Sequence, residues 1–275
     1  MLNRWLTNCR LWFRLLAFVL GTLLFWACME IDFFFRRRTP RIALINKWVP
    51  RWASALMWIF GIRVEARGPH ADQGEVYPAH DARGIGRIFV ANHQSGVDIP
   101  VALTVVAAHA ISRHDIATWP LLGAGAKRIG TLFVDRDSRR SGATVLRQIA
   151  DALAKGEGIL MFPEGTAFPG NGVHEFKPGA FNAAHRADAE IIPLGIAYGS
   201  PDAYYFKEPF LKHMKRIASR RRMTVAVEVG PPLEPIDEGS NIELKDHARN
   251  AVEQLVVRAT ERLGTSASQP QRGDS

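Results

Sequence analysis

The sequence predicts an α/β layered domain preceded by a membrane-embedded helical hairpin. Three observations predict it: short apolar segments that alternate with helical patterns from about residue 86, a long apolar run near the N-terminus, and tryptophans concentrated beside that run. Six of the seven tryptophans (Trp5, Trp12, Trp26, Trp48, Trp52 and Trp58) fall within the first 60 residues. Tryptophan favours the bilayer–water boundary because its ring is apolar while its N–H seeks a partner.

The apolar run covers residues 15–29, between Arg14 and Glu30. It is shorter than the roughly 20 residues that a helix needs to cross a bilayer core, although Arg14 can snorkel and Phe33–Phe35 can extend it. Arginines flank both sides, Arg4, Arg10 and Arg14 before and Arg36, Arg37, Arg38 and Arg41 after, so the positive-inside rule sets no simple one-pass orientation. Residues 42–62 mix Trp48, Trp52, Leu56, Ile59 and Phe60 with Lys47 and Arg51, the pattern of an interfacial helix, interrupted or kinked near Pro50. Two such segments in succession suggest a hairpin dipping into one leaflet. A cleaved signal peptide is the rival reading, and it lacks a small-x-small cleavage site.

In the main domain, strands are expected over 87–91, 130–134, 158–162, 191–197 and 224–229. Val145, Leu146, Ile149, Ala150 and Leu153 recur at helical spacing and predict a helix over 141–155, ended by Gly156 and Gly158. Val252, Leu255, Val256 and Leu263 mark a final helix. The organisation is thus a membrane-associating segment over 1–65, a catalytic-sized domain over 66–263, and a polar tail over 264–275 whose composition suggests disorder.

The formal net charge of +8 favours acidic partners such as anionic lipid, phosphate or an acidic carrier protein. No zinc-finger spacing or RNA-binding aromatic motif occurs, which argues against nucleic acid. The two cysteines, Cys9 and Cys28, both lie in the N-terminal segment and cannot staple the main domain. The chain therefore reads as intracellular, with its catalytic part on the reducing side.

Four segments could carry chemistry. Asn92-His93-Gln94-Ser95-Gly96-Val97-Asp98 follows a strand and precedes an apolar helix. On a continuous helix His93 and Asp98 would lie about 140° apart, so they meet only if His93 sits in the loop and Asp98 near the helix start, where Asp98 suits an N-cap and Pro100 the first turn. The carboxylate can then hold Nδ1–H and leave Nε2 to accept a proton from a substrate hydroxyl, with no protein nucleophile. The plainer alternative is a capping Asp98 and a His93 that satisfies a loop carbonyl. Ser95 is a weak nucleophile candidate, because it is too close in sequence to line up as a relay and no Gly-x-Ser-x-Gly elbow exists. Gly130-Thr131-Leu132-Phe133-Val134-Asp135-Arg136 delivers Arg136 to a strand's carboxyl edge, where it could clamp a phosphate or form a surface ion pair. Phe162-Pro163-Glu164-Gly165-Thr166 ends another strand, with Lys177 following in Phe176-Lys177-Pro178-Gly179, and Ile192-Pro193-Leu194 closes a further one. A late cluster, Lys212, Lys215, Arg216, Arg220, Arg221 and Arg222, could dock anionic headgroups or an acidic carrier, or be a solvated face.

In order and spacing, NHQSGVD, GTLFVDR, FPEGT and IIPL resemble the four blocks of the glycerolipid acyltransferase family that includes 1-acylglycerol-3-phosphate acyltransferases, over about residues 86–232. The resemblance implies a layered domain of that family's type, with His93 as the base that deprotonates the acceptor hydroxyl and Asp98 as its orienter. It implies attack on the thioester of acyl-CoA or acyl-carrier protein, which serve as co-substrates with no bound cofactor or metal. Arg136, Glu164, Gly165 and Thr166 would bind the acceptor's glycerol-phosphate end, with Lys177 as a further cation. The implied product is phosphatidic acid, made at the inner (cytoplasmic) membrane with the catalytic domain facing the cytoplasm; the partners are the lipid bilayer, a lysolipid and the acyl donor. Two departures stand out. Ala167 occupies the position where the family usually continues with arginine, removing a contact worth roughly 1.5–3 kcal/mol, and Arg113 stands where many relatives carry lysine. The acceptor could instead be lyso-ornithine lipid or another lysolipid, and a non-catalytic lipid-binding protein is the alternative of a different class.

Overall fold

The computed structural model describes residues 2–135, 138–233 and 241–268. In chain order the helices are α1 (Leu2–Phe35), α2 (Arg41–Phe60), α3 (Asp98–Leu103), α4 (Leu122–Arg128), α5 (Arg139–Ala154), α6 (Gly179–Ala187), α7 (Phe210–Ser219) and α8 (Asn241–Ser268). The strands are β1 (Ile62–Arg67), β2 (Ile88–Ala91), β3 (His109–Arg113), β4 (Leu132–Val134), β5 (Ile159–Met161), β6 (Ile191–Tyr198) and β7 (Met223–Val229). They form one seven-stranded sheet in the order β1-β7-β6-β2-β5-β3-β4. Pairing is parallel except between β6 and β7.

Side chains on the central strands alternate between two cores, as a period of two requires. Ile88, Val90, Ile159, Met161 and Ile191 point to the face covered by α5, α6 and α8. Phe89, Ala91, Leu160, Ile192 and Leu194 point to the other face, packed by α2, α3 and α7. Helices on both faces make each central strand apolar on both sides, which is why these strands read as short continuous apolar runs. On α8 the buried residues Leu244, Ala248, Val252 and Val256 recur every fourth position, one stripe against the sheet.

The five expected strands are all present. β1 and β3 are additions, and β1 places residues 62–65 in the sheet rather than in the N-terminal helical segment. The expected break at Pro50 does not occur: α2 runs through it, with Val49, Pro50 and Ala53 buried against their neighbours. Tertiary packing holds the turn despite the missing N–H. Residues 264–268, grouped by composition with the polar tail, continue α8, while 269–275 lie outside the described residues.

Helices α1 and α2 pack antiparallel: Phe18 meets Phe60, Trp52 donates to Thr22, Phe25 meets Trp48, and Lys47 pairs with Asp32. Within α1, residues Thr7–Phe35 form the one helix among the described residues long and apolar enough to cross a membrane, with mean hydropathy 1.9. This helix is tied to the sheet domain at both ends. The buried Arg14 guanidinium donates to the carbonyls of Ala218, in the last turn of α7, and of Arg220 and Arg221 just after it, satisfying oxygens that a helix C-terminus leaves open. At the other end Glu30 accepts from Arg128 on α4 at 2.5 Å. Cys9 and Cys28 are free.

Helix α8 lies close enough on β6 that a Cβ at Gly195 would sit 2.4 Å from the Leu255 carbonyl carbon and 2.5 Å from the Val256 nitrogen. Gly195→Ala should therefore push α8 off the sheet and destabilise the fold by about 2 kcal/mol, seen as a lowered thermal midpoint; an unchanged midpoint would contradict this packing.

Candidate active site

The carboxyl ends of β2, β5 and β6 lie side by side at one edge of the sheet, and each delivers part of the site. After β2, the Asn92 side chain continues the strand ladder in place of backbone: its Nδ2 donates to Ile196 O at 3.0 Å and its Oδ1 accepts from Ile196 N at 2.8 Å. The main chain is thereby released to turn, and His93 comes at the start of that turn.

His93 Nδ1 lies 2.6 Å from Asp98 Oδ2. The same oxygen accepts the backbone N–H groups of Gln94 and Ser95, each at 2.7 Å. The other oxygen, Oδ1, accepts the hydroxyl proton of Tyr198 from the end of β6. Asp98 is fully buried, and an ionised carboxylate only accepts, so the Nδ1 position carries the proton. That assignment leaves Nε2 as the acceptor on a ring that lines a large cavity. Burial, reinforced by Asp98, raises the Tyr198 hydroxyl well above its ordinary range, which keeps it a donor.

The expectation that Asp98 caps the helix is corrected in detail. Asp98 is the first residue of α3 and its carboxylate turns back onto the loop amides at 94 and 95 rather than onto those of the first turn. Four donors converge on it, which a cap on α3 would not collect. Ser95 is held away from the base by its own contact, Oγ to His213 Nε2 at 3.3 Å.

The loop is clamped from every side. His93 stacks on Phe162 with centroids 4.6 Å apart. Its carbonyl accepts from Phe168 N, and the Gln94 carbonyl accepts from Tyr205 N. Glu164 Oε2 accepts the His93 N–H at 2.8 Å and Oε1 accepts the His174 N–H at 2.9 Å. Glu164 is buried and faces these amides rather than the cavity. Burial raises its pKa from the ordinary 4.5 to about 7 against the lowering pull of the two amides.

Gly165, Thr166 and Lys177 do line the cavity with His93. Gly165 has φ +80°, and a Cβ there would displace the Lys177 side chain, whose Nζ and Cε lie 2.6 and 2.8 Å from its position. The glycine both makes the turn and seats the lysine stem. Ala167 is buried at the cavity wall and brings no charge. Arg136, expected at the end of β4, lies outside the described residues. Arg113 lines the cavity and pairs with Asp115 at 3.1 Å.

The cavity encloses about 1240 Å³ and runs from His93 between the sheet domain and the helical pair. Leu15, Phe18, Trp52, Leu103, Ile129 and Leu146 give its apolar wall. Two functional groups escaped the sequence reading. Tyr198 stands one residue past the expected end of β6. His213 is buried on α7, where its Nε2 takes the Gly96 N–H at 3.0 Å, and burial followed by the Arg216 charge lowers its pKa to about 4. Its spacing from Phe210 and Ile217 was the available signal, since it shares their helix face. Arg216, read with the late basic cluster, turns inward onto Glu208 and the carbonyls of Asp202 and Tyr204.

A histidine held by a buried carboxylate thus opens on an apolar cavity large enough for lipid chains, an arrangement able to accept a proton from a bound hydroxyl. Residues 73–197 match the family model described as Acyltransferase. The chain is 29% identical over 221 residues to the lyso-ornithine lipid O-acyltransferase of Pseudomonas aeruginosa, covering 78% of this chain and 79% of that protein. It is 28% identical over 252 residues to the 1-acyl-sn-glycerol-3-phosphate acyltransferase of Escherichia coli, covering 89% and 92%. The crystal structure of the 1-acyl-sn-glycerophosphate acyltransferase from Thermotoga maritima shares the fold, with TM-score 0.69 at 18% identity over 92% of this chain and 96% of that one. The domain match and these relatives support the glycerolipid acyltransferase family and an acyltransferase enzyme.

Glu164 generates a pH prediction. Because its native pKa is raised, the native state holds a proton that the unfolded chain releases between pH 4.5 and about 7. Stability from this group is full below 4.5 and falls as pH rises to about 7. Thermal midpoints of Glu164→Gln should lack that decline; an identical slope in wild type and variant would contradict it.

Proposed function

We propose that the protein transfers a fatty acyl group from acyl-CoA or acyl-carrier protein to the free hydroxyl of a lysolipid, with 1-acylglycerol-3-phosphate as acceptor and phosphatidic acid as product. The observation that carries this reading is the His93–Asp98 contact of 2.6 Å at the wall of an apolar cavity of about 1240 Å³. His93 Nε2 takes the hydroxyl proton as the oxygen attacks the thioester carbonyl. The tetrahedral intermediate then collapses, the C–S bond breaks, and the proton on His93 passes to the departing thiolate. Asp98 stabilises the imidazolium between those steps. The cavity volume suits the acyl chains, and Lys177, Thr166 and the Gly165 turn are the groups on the cavity wall available to the acceptor's polar end, with Arg136 assigned there from its motif. Glu164 acts in this reading by holding the His93 backbone rather than by touching the acceptor.

One observation favours a second acceptor class. Ala167 supplies no cation where the family pattern has arginine, and a lyso-ornithine lipid O-acyltransferase is among the similar proteins. An acceptor without phosphate would not need that charge.

The same reading puts the protein at the inner membrane, catalytic domain on the cytoplasmic side, with α1 and α2 lying in one leaflet. Trp12, Phe13, Leu16, Leu20, Leu24 and Trp58 are exposed apolar side chains on this pair. The ties of α1 to α7 and α4 at its two ends favour a helix lying along the domain over one that departs across a bilayer.

Purified protein should be offered lysophosphatidate, lyso-ornithine lipid and neutral lysolipids with either acyl donor, and the products weighed by mass spectrometry. Lysophosphatidate should be preferred, and Ala167→Arg should raise its use about tenfold. Preference for a phosphate-free acceptor would overturn the substrate assignment.

A further inference from the structure

The turn between α1 and α2 gathers arginines around a second cleft, of about 510 Å³, that the acyl-transfer chemistry does not use. Arg36, Arg37, Arg38 and Arg41 come from the turn and the start of α2, and Arg128 comes from the last residue of α4. The cleft shares Arg128 with the large cavity, but not His93, Thr166 or Lys177.

The arrangement is built rather than scattered. The guanidinium carbons of Arg41 and Arg128 lie 5.2 and 5.6 Å from the centroid of one ring, Phe33. Arg41 Nη2 donates to the Arg128 carbonyl at 2.9 Å, and Arg128 is held by Glu30. Two carboxylates serve this neighbourhood. Glu30 is engaged by Arg128, and Asp32 is divided between Arg36 and Lys47. Among the described residues Arg37 and Arg38 have no carboxylate ion pair, and Arg41 has only a longer-range attraction to Glu30, which Arg128 already engages. Like charges held together this closely repel, and an anion that accepts several N–H groups at once removes that repulsion. Guanidinium forks match the oxygens of a phosphate in geometry as well as in charge.

The apolar surroundings say where that phosphate resides. Phe34 and Phe35, on the last turn of α1, are 60% and 78% exposed, and the apolar outer side of α1 continues from them. A phosphate seated in the cleft would therefore have apolar side chains beside it, as a lipid headgroup does at a bilayer surface. We propose that this cleft binds the phosphate of an anionic membrane lipid, fixing the tip of the helical pair at headgroup depth. The proposal rests on the membrane-surface placement of α1 and α2 given above, and adds to it a defined headgroup site.

The test is flotation of the full-length protein with phosphatidylcholine vesicles and with phosphatidylcholine–phosphatidylglycerol vesicles at one ionic strength. Wild type should bind both and prefer the anionic ones. The variant Arg37→Gln/Arg38→Gln/Arg41→Gln alters exposed side chains only. It should keep its binding to neutral vesicles and lose the preference by about fivefold for each arginine removed. A charge-matched variant on the opposite side of the sheet, Arg147→Gln/Lys155→Gln/Arg258→Gln, should keep the preference. Equal losses in the two variants would mean a diffuse positive field and overturn the site. Without vesicles, inorganic phosphate should bind wild type no more tightly than the triple variant. Phosphate binding that the triple variant loses would mean that the cleft takes the free ion, and the lipid assignment falls. Absence of binding to neutral vesicles would instead defeat the membrane placement, while binding without anionic preference would defeat this proposal alone.

Discussion

The carboxylate of Asp98 is the constraint on which the site is built. A fully buried charge is costly unless its oxygens are supplied with donors, and Asp98 has four: the His93 ring, the amides of Gln94 and Ser95, and the Tyr198 hydroxyl. Those donors come from two strand ends and the loop between β2 and α3. Satisfying the one carboxylate therefore sets the loop path, the tautomer of His93 and the position of β6 relative to β2 together. Catalytic geometry and burial of the charge are one requirement here.

The sheet makes that convergence possible. β2, β5 and β6 run parallel, so their carboxyl ends present the His93 loop, the Glu164 turn and Tyr198 at a common edge. Asn92 substitutes its side-chain amide for the next rung of the ladder, so the turn begins without leaving β6 unpaired. Glu164 then braces the turn from β5 through two backbone amides. On the far side of His93 the wall is supplied by α1, α2 and the helices that face them. The His93 ring at the sheet edge thus opens onto a cavity whose apolar surface belongs partly to the helical pair.

Much of this was legible in the sequence, though unevenly. The central strands announced themselves because both of their faces are buried. β1 escaped although Ile62, Val64 and Ala66 alternate with charged residues, because it begins directly after a helix whose apolar pattern runs into it. β3 escaped because Ala107, Ala108 and Ala110 prolong the apolar run of the preceding helix. His93 and Asp98 were found as a pair by their motif and its order relative to the later blocks. Tyr198 and His213 were not, since both act through contacts that bridge about a hundred residues of sequence, 100 for Tyr198 and 117 for His213. The local rule that aspartate near a helix start caps that helix failed at Asp98 because the loop amides and Tyr198 offered more donors than the helix end.

The central claim is that His93, held by Asp98, is the base that activates the acceptor hydroxyl. The most direct measurement is the single-turnover rate of acyl transfer from a thioester donor to lysolipid by His93→Gln, alongside thermal stability and vesicle binding of the same preparation. The account predicts a rate lowered by about 10²–10⁴ with folding and membrane binding retained. A variant that transfers the acyl group at the wild-type rate would contradict it.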